Sequence, residues 1–334
     1  MQPRVSIVVP CFNEKATIGA LLSAIQRQTY PAGRLEVVIA DGLSSDGTRE
    51  EIAQFQRNSP ELRIVIVDNA RRTIPSGLNQ AISASSGEII VRLDAHSAPI
   101  PEYIERCVND LEAGLGDNVG GVWKIVPGAS GRLASAIAAA ASHLMGAGDA
   151  LYRLGGDARA VDTVPFGAFR RSILDRVGLF DEKLLTNEDY EFNFRIRKDG
   201  GRVWLDPRIR SEYVARPNLK ELGRQYWRYG FWKYRMLVRH PHSLRWRQGL
   251  PPTFVAAVLV FAGLSPFWSA ARLVLLLSVG AYAVALLIAG IDIAIRQGDI
   301  LLIPAVMAAL TVMHFAWGGG FLWSVLTRTV SRDG

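Results

Sequence analysis

The sequence predicts an α/β domain of Rossmann-like type, a mostly parallel sheet covered by helices, followed by an amphipathic interfacial helix and C-terminal transmembrane helices. Three observations lead there. Short apolar runs alternate with helical patterns through the first 215 residues, as a parallel sheet with helices on both faces requires. Charge is segregated, since of 38 Lys/Arg and 31 Asp/Glu only seven fall among the last 82 residues. Between these two materials residues 195–247 carry fifteen Lys/Arg against four acids.

The elements follow in order. Residues 5–10 form an apolar strand, and Ile18, Leu21, Leu22 and Ile25 recur at helical spacing behind it. Residues 35–40 are a second strand, and Asp46-Gly47-Thr48 opens a helix to about Arg57. A third strand covers 63–67, a helix 76–85 and a fourth strand 88–93. The Ala-rich stretch 133–145 is too short to span a bilayer and reads either as a buried helix or as a second interfacial contact. Leu219, Leu222, Tyr226, Trp227, Phe231 and Trp232 alternate with Arg224, Arg228, Lys233 and Arg235, a pattern suited to the headgroup layer. Residues 253–271 and 273–291 hold no charge and are parted only by Arg272, and 300–327 is likewise uncharged. Each run can cross about 30 Å of hydrocarbon as a helix. About three spans result, although Pro266 allows the first run to bend or re-enter. The expected organisation is thus an α/β domain at 1–215, a basic and aromatic interfacial region at 216–250 and a membrane region at 251–328.

Composition narrows the function. With 334 residues, 49% of them hydrophobic, and a mean hydropathy of +0.14, the chain is neither disordered nor a disulfide miniprotein. The net charge of +7 comes from the basic block, which suits an anionic membrane face at about 1 kcal/mol per Lys/Arg near the surface. No nucleic-acid motif accompanies it, so no nucleic-acid partner is expected. Cys11 and Cys107 make no disulfide framework and read as free thiols in a reducing compartment. The N-terminus lacks a signal-sequence pattern. The positive-inside rule puts the 224–247 cluster on the cytoplasmic side, so that three crossings place Gly334 outside. The expected location is the cytoplasmic (inner) membrane, multi-pass, with the domain at 1–215 in the cytosol.

In open sheets of this kind ligands sit beyond the carboxyl ends of the strands. Those ends carry Pro10-Cys11-Phe12-Asn13-Glu14, then Asp41-Gly42-Leu43-Ser44-Ser45-Asp46-Gly47-Thr48, then Asp94-Ala95-His96. There is no Gly-x-Gly-x-x-Gly and no Gly-x-x-x-x-Gly-Lys loop, which argues against a dinucleotide oxidoreductase or a P-loop NTPase. Carboxylates dominate instead, and acids facing a nucleotide accept hydrogen bonds from base and ribose or hold a divalent cation against a diphosphate. Asp41 and Asp94 fit those roles.

Together with Asn187-Glu188-Asp189-Tyr190-Glu191, these motifs resemble glycosyltransferase family 2, whose fold is GT-A. The resemblance covers about residues 4–215, with the motifs in the family's order. More narrowly, the segments at 92–96, 117–123, 161–167 and 224–233 resemble the succinoglycan-type membrane glucosyltransferases, which extend polyprenyl-diphosphate-linked saccharides from a UDP-sugar. The resemblance implies that Pro10, Asn13, Glu14 and Asp41 hold the uridine and that Arg72 lies near base or phosphate. Asn13 and Glu14 can also cap the helix that follows, Asp46 reads better as a helix cap than as a ligand, and Arg72 has a merely solvated alternative. Asp94-Ala95-His96 stands where most relatives have Asp-x-Asp, which binds Mg²⁺ or Mn²⁺ across the donor diphosphate. It implies Asp94 as a ligand, and His96 as a ligand or a water-bridged neighbour. An imidazole tolerates Mn²⁺ better than Mg²⁺.

The family's acid-acid pair implies Asp189 as the general base for an inverting transfer, with Glu188 beside it. By themselves these acids would simply complement a helix dipole. Gly167 belongs to the implied floor of the sugar and acceptor pocket, where Ala168 replaces a Cys common in relatives. Trp123 either lines the sugar site or is core. Gln225, Trp227 and Arg228 resemble a Gln-x-x-Arg-Trp motif with Tyr229 in place of its last residue, facing acceptor and diphosphate. The implied activity is transfer of a sugar, by resemblance glucose, from a UDP-sugar to a polyprenyl-linked acceptor at the lipid bilayer, in exopolysaccharide or related glycan assembly. Direct transfer to polyprenyl phosphate, a processive polysaccharide synthase and a non-catalytic nucleotide-sugar scaffold are the rival readings.

Overall fold

The computed structural model describes residues 2–330. Two compact units divide the chain, one comprising residues up to Lys124 with Gly155–Tyr213, the other Ile125–Leu154 with everything from Val214 onward. The elements run β1 (Val5–Cys11), α1 (Ile18–Gln26), β2 (Leu35–Asp41), α2 (Thr48–Asn58), β3 (Arg63–Asp68), α3 (Ile74–Ala84), β4 (Ile89–Arg92), β5 (Ala98–Pro99), α4 (Tyr103–Glu112) and β6 (Asn118–Val126). There follow α5 (Arg132–Ala141), α6 (Leu144–Ala147), α7 (Leu151–Leu154), β7 (Arg159–Ala160), β8 (Ala168–Arg170), α8 (Ile173–Val177), α9 (Glu188–Lys198) and β9 (Val203–Val214). The last four helices are α10 (Leu219–Arg239), α11 (Trp246–Leu264), α12 (Ser269–Gln297) and α13 (Ile303–Val330).

Among the described residues nine strands form one sheet, ordered β3-β2-β1-β4-β8-β6-β9-β5 with β7 on β9. The parallel part is β1 to β4; β8 runs antiparallel to both β4 and β6, and β9 antiparallel to β5 and β7. Val5, Ile7, Val8 and Val9 are all fully buried, because helices cover both faces of the parallel half. Burying each such side chain contributes about 1.5–3 kcal/mol. The register then decides where the chemistry goes. Cys11 lies opposite Asp41 and Asp41 opposite Asp68, so the loops after β1, β2 and β3 leave the sheet along one edge. β4 joins that edge, with Arg92 paired to Val8.

In the second unit three helices are long and apolar enough to cross a membrane, Trp246–Leu264, Ser269–Gln297 and Ile300–Thr327. The first two are not parted at Arg272. The break falls at Ser265-Pro266-Phe267, because Pro266 supplies no backbone donor to continue α11, and Arg272 sits one turn inside α12. The Ala-rich α5 is buried through Ala136, Ile137 and Ala140 in a core shared with Leu222 and Tyr226 of α10, Leu286 of α12, and Val306 and Leu310 of α13. Helix α10 lies lengthwise on α13. A methyl group on Gly230 would fall 2.0 Å from the Trp317 carbonyl oxygen, and one on Gly320 2.2 Å from that of Trp227, so glycines let the two backbones touch. Gly334, placed outside the membrane by a three-span topology, lies beyond the described residues.

Candidate active site

The loops after β1 and β2 lock together without a ligand. Asn13 takes a left-handed conformation (φ 54°); its amide donates to Ser44 Oγ, and its side-chain oxygen accepts from the Ser45 amide. Asp41 is fully buried and accepts from the Ser44 amide, from Ser44 Oγ and, at 2.5 Å, from Arg49 Nε. Burial alone would raise its carboxyl, but those hydrogen bonds outweigh it and hold the group below the usual carboxylate range. Asp46 accepts from Thr48 Oγ1 and the Thr48 and Lys15 amides, but the N-cap of α2 is Gly47 (φ 98°), one residue on from the expected position. Pro10 ends the apolar part of β1 beside Ala40. Arg72, at φ 55°, lays its guanidinium 5.5 Å from the centroid of Phe12, next to Asn13.

Glu14 links this loop pair to β4. Its Oε1 lies 3.0 Å from His96 Nδ1, and its Oε2 accepts from Thr17 Oγ1. Burial pushes the Glu14 carboxyl up; the bonds from His96 and Thr17 bring it below the ordinary value. A carboxylate on Nδ1 also fixes the orientation of the imidazole. Asp94 and His96 offer one oxygen and one nitrogen ligand at an accessible edge, and among the described residues no group of three or more His, Cys, Asp or Glu could hold an ion. A carboxylate oxygen and an imidazole nitrogen are donors of a kind that would suit a divalent cation such as Mn²⁺ or Mg²⁺.

The most informative residue carried no assigned role in the sequence. Arg92 ends β4 at 6% exposure, and its NH2 donates to Glu188 Oε1 at 2.8 Å and approaches Asp94 Oδ1 at 3.3 Å. One guanidinium therefore gathers the acid after β4 and the acid pair opening α9, 96 residues apart in Arg92–Glu188 terms. Burial would lower the Arg92 pKa, but Asp94, Glu188 and Asp189 raise it, so the charge is secure. Glu188 is pushed up by burial and by Asp189, against the pull of Arg92. Arg92 Nε and NH1 are buried without a hydrogen-bond partner. The signal for this residue was present: an arginine at the end of a four-residue apolar strand must be paired when buried.

Asp189 lies in the first turn of α9, half-buried, with Oδ1 accepting from the Tyr190 amide. Asn187 before it is left-handed (φ 68°). Asp189 lines a small cavity with Arg92, Asn118, Gly167, Phe192 and Asn193. Asn118 donates to Asn193 Oδ1, and Asn193 to Thr163 Oγ1. A side chain at Gly167 would meet Asn118 at 2.2 Å, so only glycine fits that wall. Trp123 stacks on Tyr213 at 4.2 Å and packs against the sheet core, which favours the core reading. Ala168 is fully buried in β8. Gln225, Trp227 and Arg228 lie on α10 in the second unit; Gln225 donates to Tyr229 Oη and Trp227 packs on Gly319. Cys11 and Cys107 are both free and buried.

Comparison with known proteins adds the following. A family model described as glycosyl transferase family 2 matches residues 6–178. The succinoglycan biosynthesis protein ExoA of Rhizobium meliloti (strain 1021) is 31% identical over 319 residues, 94% of this chain and 93% of that protein. A Methanococcus voltae protein named dolichyl N-acetyl-alpha-D-glucosaminyl phosphate 3-beta-D-2,3-diacetamido-2,3-dideoxy-beta-D-glucuronosyltransferase is 25% identical over 79% of this chain and 83% of its own length. Among solved structures, the mannosyltransferase PcManGT from Pyrobaculum calidifontis, in complex with GDP-Man and Mn²⁺, superposes with a TM-score of 0.62 at 22% identity, covering 94% of this chain and 87% of that one. S. aureus TarS 1–349 in complex with UDP gives 0.53 at 17% identity, covering 96% and 90%. At those identities the likeness is one of fold, GT-A.

Proposed function

The chain belongs to glycosyltransferase family 2, and from that premise we propose that it transfers glucose from UDP-glucose, with inversion, to a hydroxyl of a polyprenyl-diphosphate-linked saccharide at the cytoplasmic face of a membrane. The observation carrying this reading is the Arg92 junction, which sets Asp94 and the Glu188–Asp189 pair around one buried guanidinium. In this reading the loops holding Pro10, Asn13, Glu14, Asp41 and Arg72 receive the uridine diphosphate end of the donor. Asp94 and His96 would hold Mg²⁺ or Mn²⁺, which supplies positive charge against the departing diphosphate.

Asp189 takes the proton of the acceptor hydroxyl as its oxygen attacks C1; the C1–O bond to UDP breaks on the opposite face, and the base later releases its proton to water. Ionised Asp189 suits the first turn of α9, where the helix dipole favours negative charge. Glu188, held by Arg92, keeps the turn in place. Gly167 leaves room at the pocket wall, and it is the resemblance of Gln225, Trp227 and Arg228 to the Gln-x-x-Arg-Trp motif that assigns them to the acceptor and its diphosphate. The lipid-linked acceptor is supported by the name of the Methanococcus voltae relative, a transferase acting on a dolichyl-linked sugar phosphate, and the polysaccharide context by that of the succinoglycan biosynthesis protein.

The test is a single-turnover assay of purified protein with a panel of radiolabelled UDP-sugars and a polyprenyl-lipid extract. Label should move from UDP-glucose into the organic phase, and excess EDTA should abolish the transfer until Mn²⁺ or Mg²⁺ is restored. Full activity in EDTA would remove the metal, and transfer to bare polyprenyl phosphate that survives Asp189→Asn would replace the acceptor.

A further inference from the structure

Three helices can cross a bilayer by length and composition, but they do not present the same surface. Helix α13 is more covered than the other two, with only Pro304, Phe315, Trp323 and Leu326 exposed between residues 303 and 327. Along one side runs α10, parallel to it from the Gly223–Val312 contact to the hydrogen bonds of Arg235 with Ser324 and Thr327. Helix α10 carries Lys220, Glu221, Arg224, Arg228, Lys233, Arg235 and Arg239, of which Lys220, Arg224, Arg228 and Arg239 are exposed. The shared length, residues 312–327 of α13, is about 22 Å at 1.5 Å per residue. That is most of an about 30 Å hydrocarbon core, so if α13 crossed, α10 would carry its arginines into the lipid.

A second observation concerns the middle of α13. His314 Nε2 meets the Met145 carbonyl oxygen at 2.8 Å, and the Met313 side chain packs on Gly146. Residues 142–150 hold one four-residue helix, α6, flanked by turns, a broken backbone that hydrocarbon accommodates poorly on a lipid-facing surface.

The α11–α12 hairpin is the opposite case. Beyond the Phe254–Tyr282 ring contact at 4.6 Å its arms are largely exposed and apolar, including Leu259 at 63%, Leu276 at 64% and, at the tip, Phe267 at 89%. As whole helices α11, Trp246–Leu264, is about 27 Å long and α12, Ser269–Gln297, is longer, so the hairpin can reach across about 30 Å of hydrocarbon. The one charge between residues 254 and 282, Arg272, sits near the tip on a stem long enough to carry the guanidinium toward a polar boundary.

We infer that the lipid bilayer receives this hairpin alone: α11 enters, α12 returns, and α13 lies beneath α10 at the headgroup layer without a third crossing. The end of α13 then stays on the same side as the N-terminal unit. The exposed arginines of α10 face anionic headgroups.

The experiment fuses green fluorescent protein or alkaline phosphatase to either end of the full chain in a bacterial inner membrane. The first fluoresces only in the cytosol and the second is active only outside, so each arrangement gives a positive signal. Both ends should give fluorescent fusions, with phosphatase activity lost at both. An active phosphatase and a dark fluorescent protein at the C-terminal end, with the N-terminal end cytosolic, would show three crossings and overturn the inference. The readout does not depend on sugar transfer.

Discussion

The two carboxylate groups of the first unit differ in how their charge is balanced. In the loops after β1 and β2, Asp41, Asp46 and Glu14 are each matched by two or more donors, and their pKa values lie below normal. Around Arg92, three acids share one guanidinium, Glu188 is pushed up, and two buried nitrogens of the arginine have no partner. The first region is finished without substrate. The second keeps an imbalance of negative charge, the condition under which a cation and a proton acceptor are useful.

The sharpest way to break this contrast is at Asp189. Asp189→Asn should lower turnover by about 10²–10⁴-fold, the usual worth of a general base, while UDP binding measured by calorimetry stays within a few-fold of normal. Near-normal turnover would place the base elsewhere. Next comes Arg92→Met, which leaves Glu188 and Asp94 without their buried cation and should cost about 3–5 kcal/mol in denaturant unfolding. Arg92→Lys should recover part of that loss. An unchanged midpoint for the methionine variant would show that the acids are matched by something else.

A smaller effect calibrates the comparison outside the site. Asp110 and Asp206 are both buried, with Arg208 2.7 Å from Asp206 and 3.8 Å from Asp110. Burial and the neighbouring Asp206 push the Asp110 carboxyl up to about 6. Because this folded value lies above the unfolded one of 3.8, the stability it contributes is complete below about pH 4 and is lost as pH rises through 6. Asp110→Asn keeps a donor for Asp206 and should raise the melting midpoint at pH 7.5, by about 2–4 °C per kcal/mol recovered, and flatten the slope between pH 4 and 6. A midpoint unchanged or lowered at pH 7.5 would mean that Asp110 is ionised and paired there.

Much of this was legible in the amino-acid order. The four parallel strands follow from runs such as Val5 to Val9, whose buried faces leave no alternative, and the strand ends then bring Asp41, Asp94 and their loops to one edge. Two kinds of fact were not legible. Arg92 declares itself as a buried charge, but its partners 2 and 96 positions away become visible only when β8 folds antiparallel onto β4 and carries α9 behind it. Short strands such as β8, three residues long, have too little periodicity to announce their direction. The other concerns α10, whose apolar stripe predicts burial but not its partner. A headgroup layer and the flank of α13 satisfy the same pattern, and only glycines at 230 and 320 distinguish them once the backbones are seen to touch.

That contact between Gly230 and the Trp317 to Gly320 segment constrains any attempt to obtain the protein free of detergent. Cutting the chain before α11 would strip α10 of the helix seated on it and bare a strip of Trp and Tyr side chains that water does not wet. Removing only the greasy tip, residues 256–281, and rejoining the stumps would leave that seam closed, so shortening the hairpin keeps α10 covered where deleting the whole membrane segment does not.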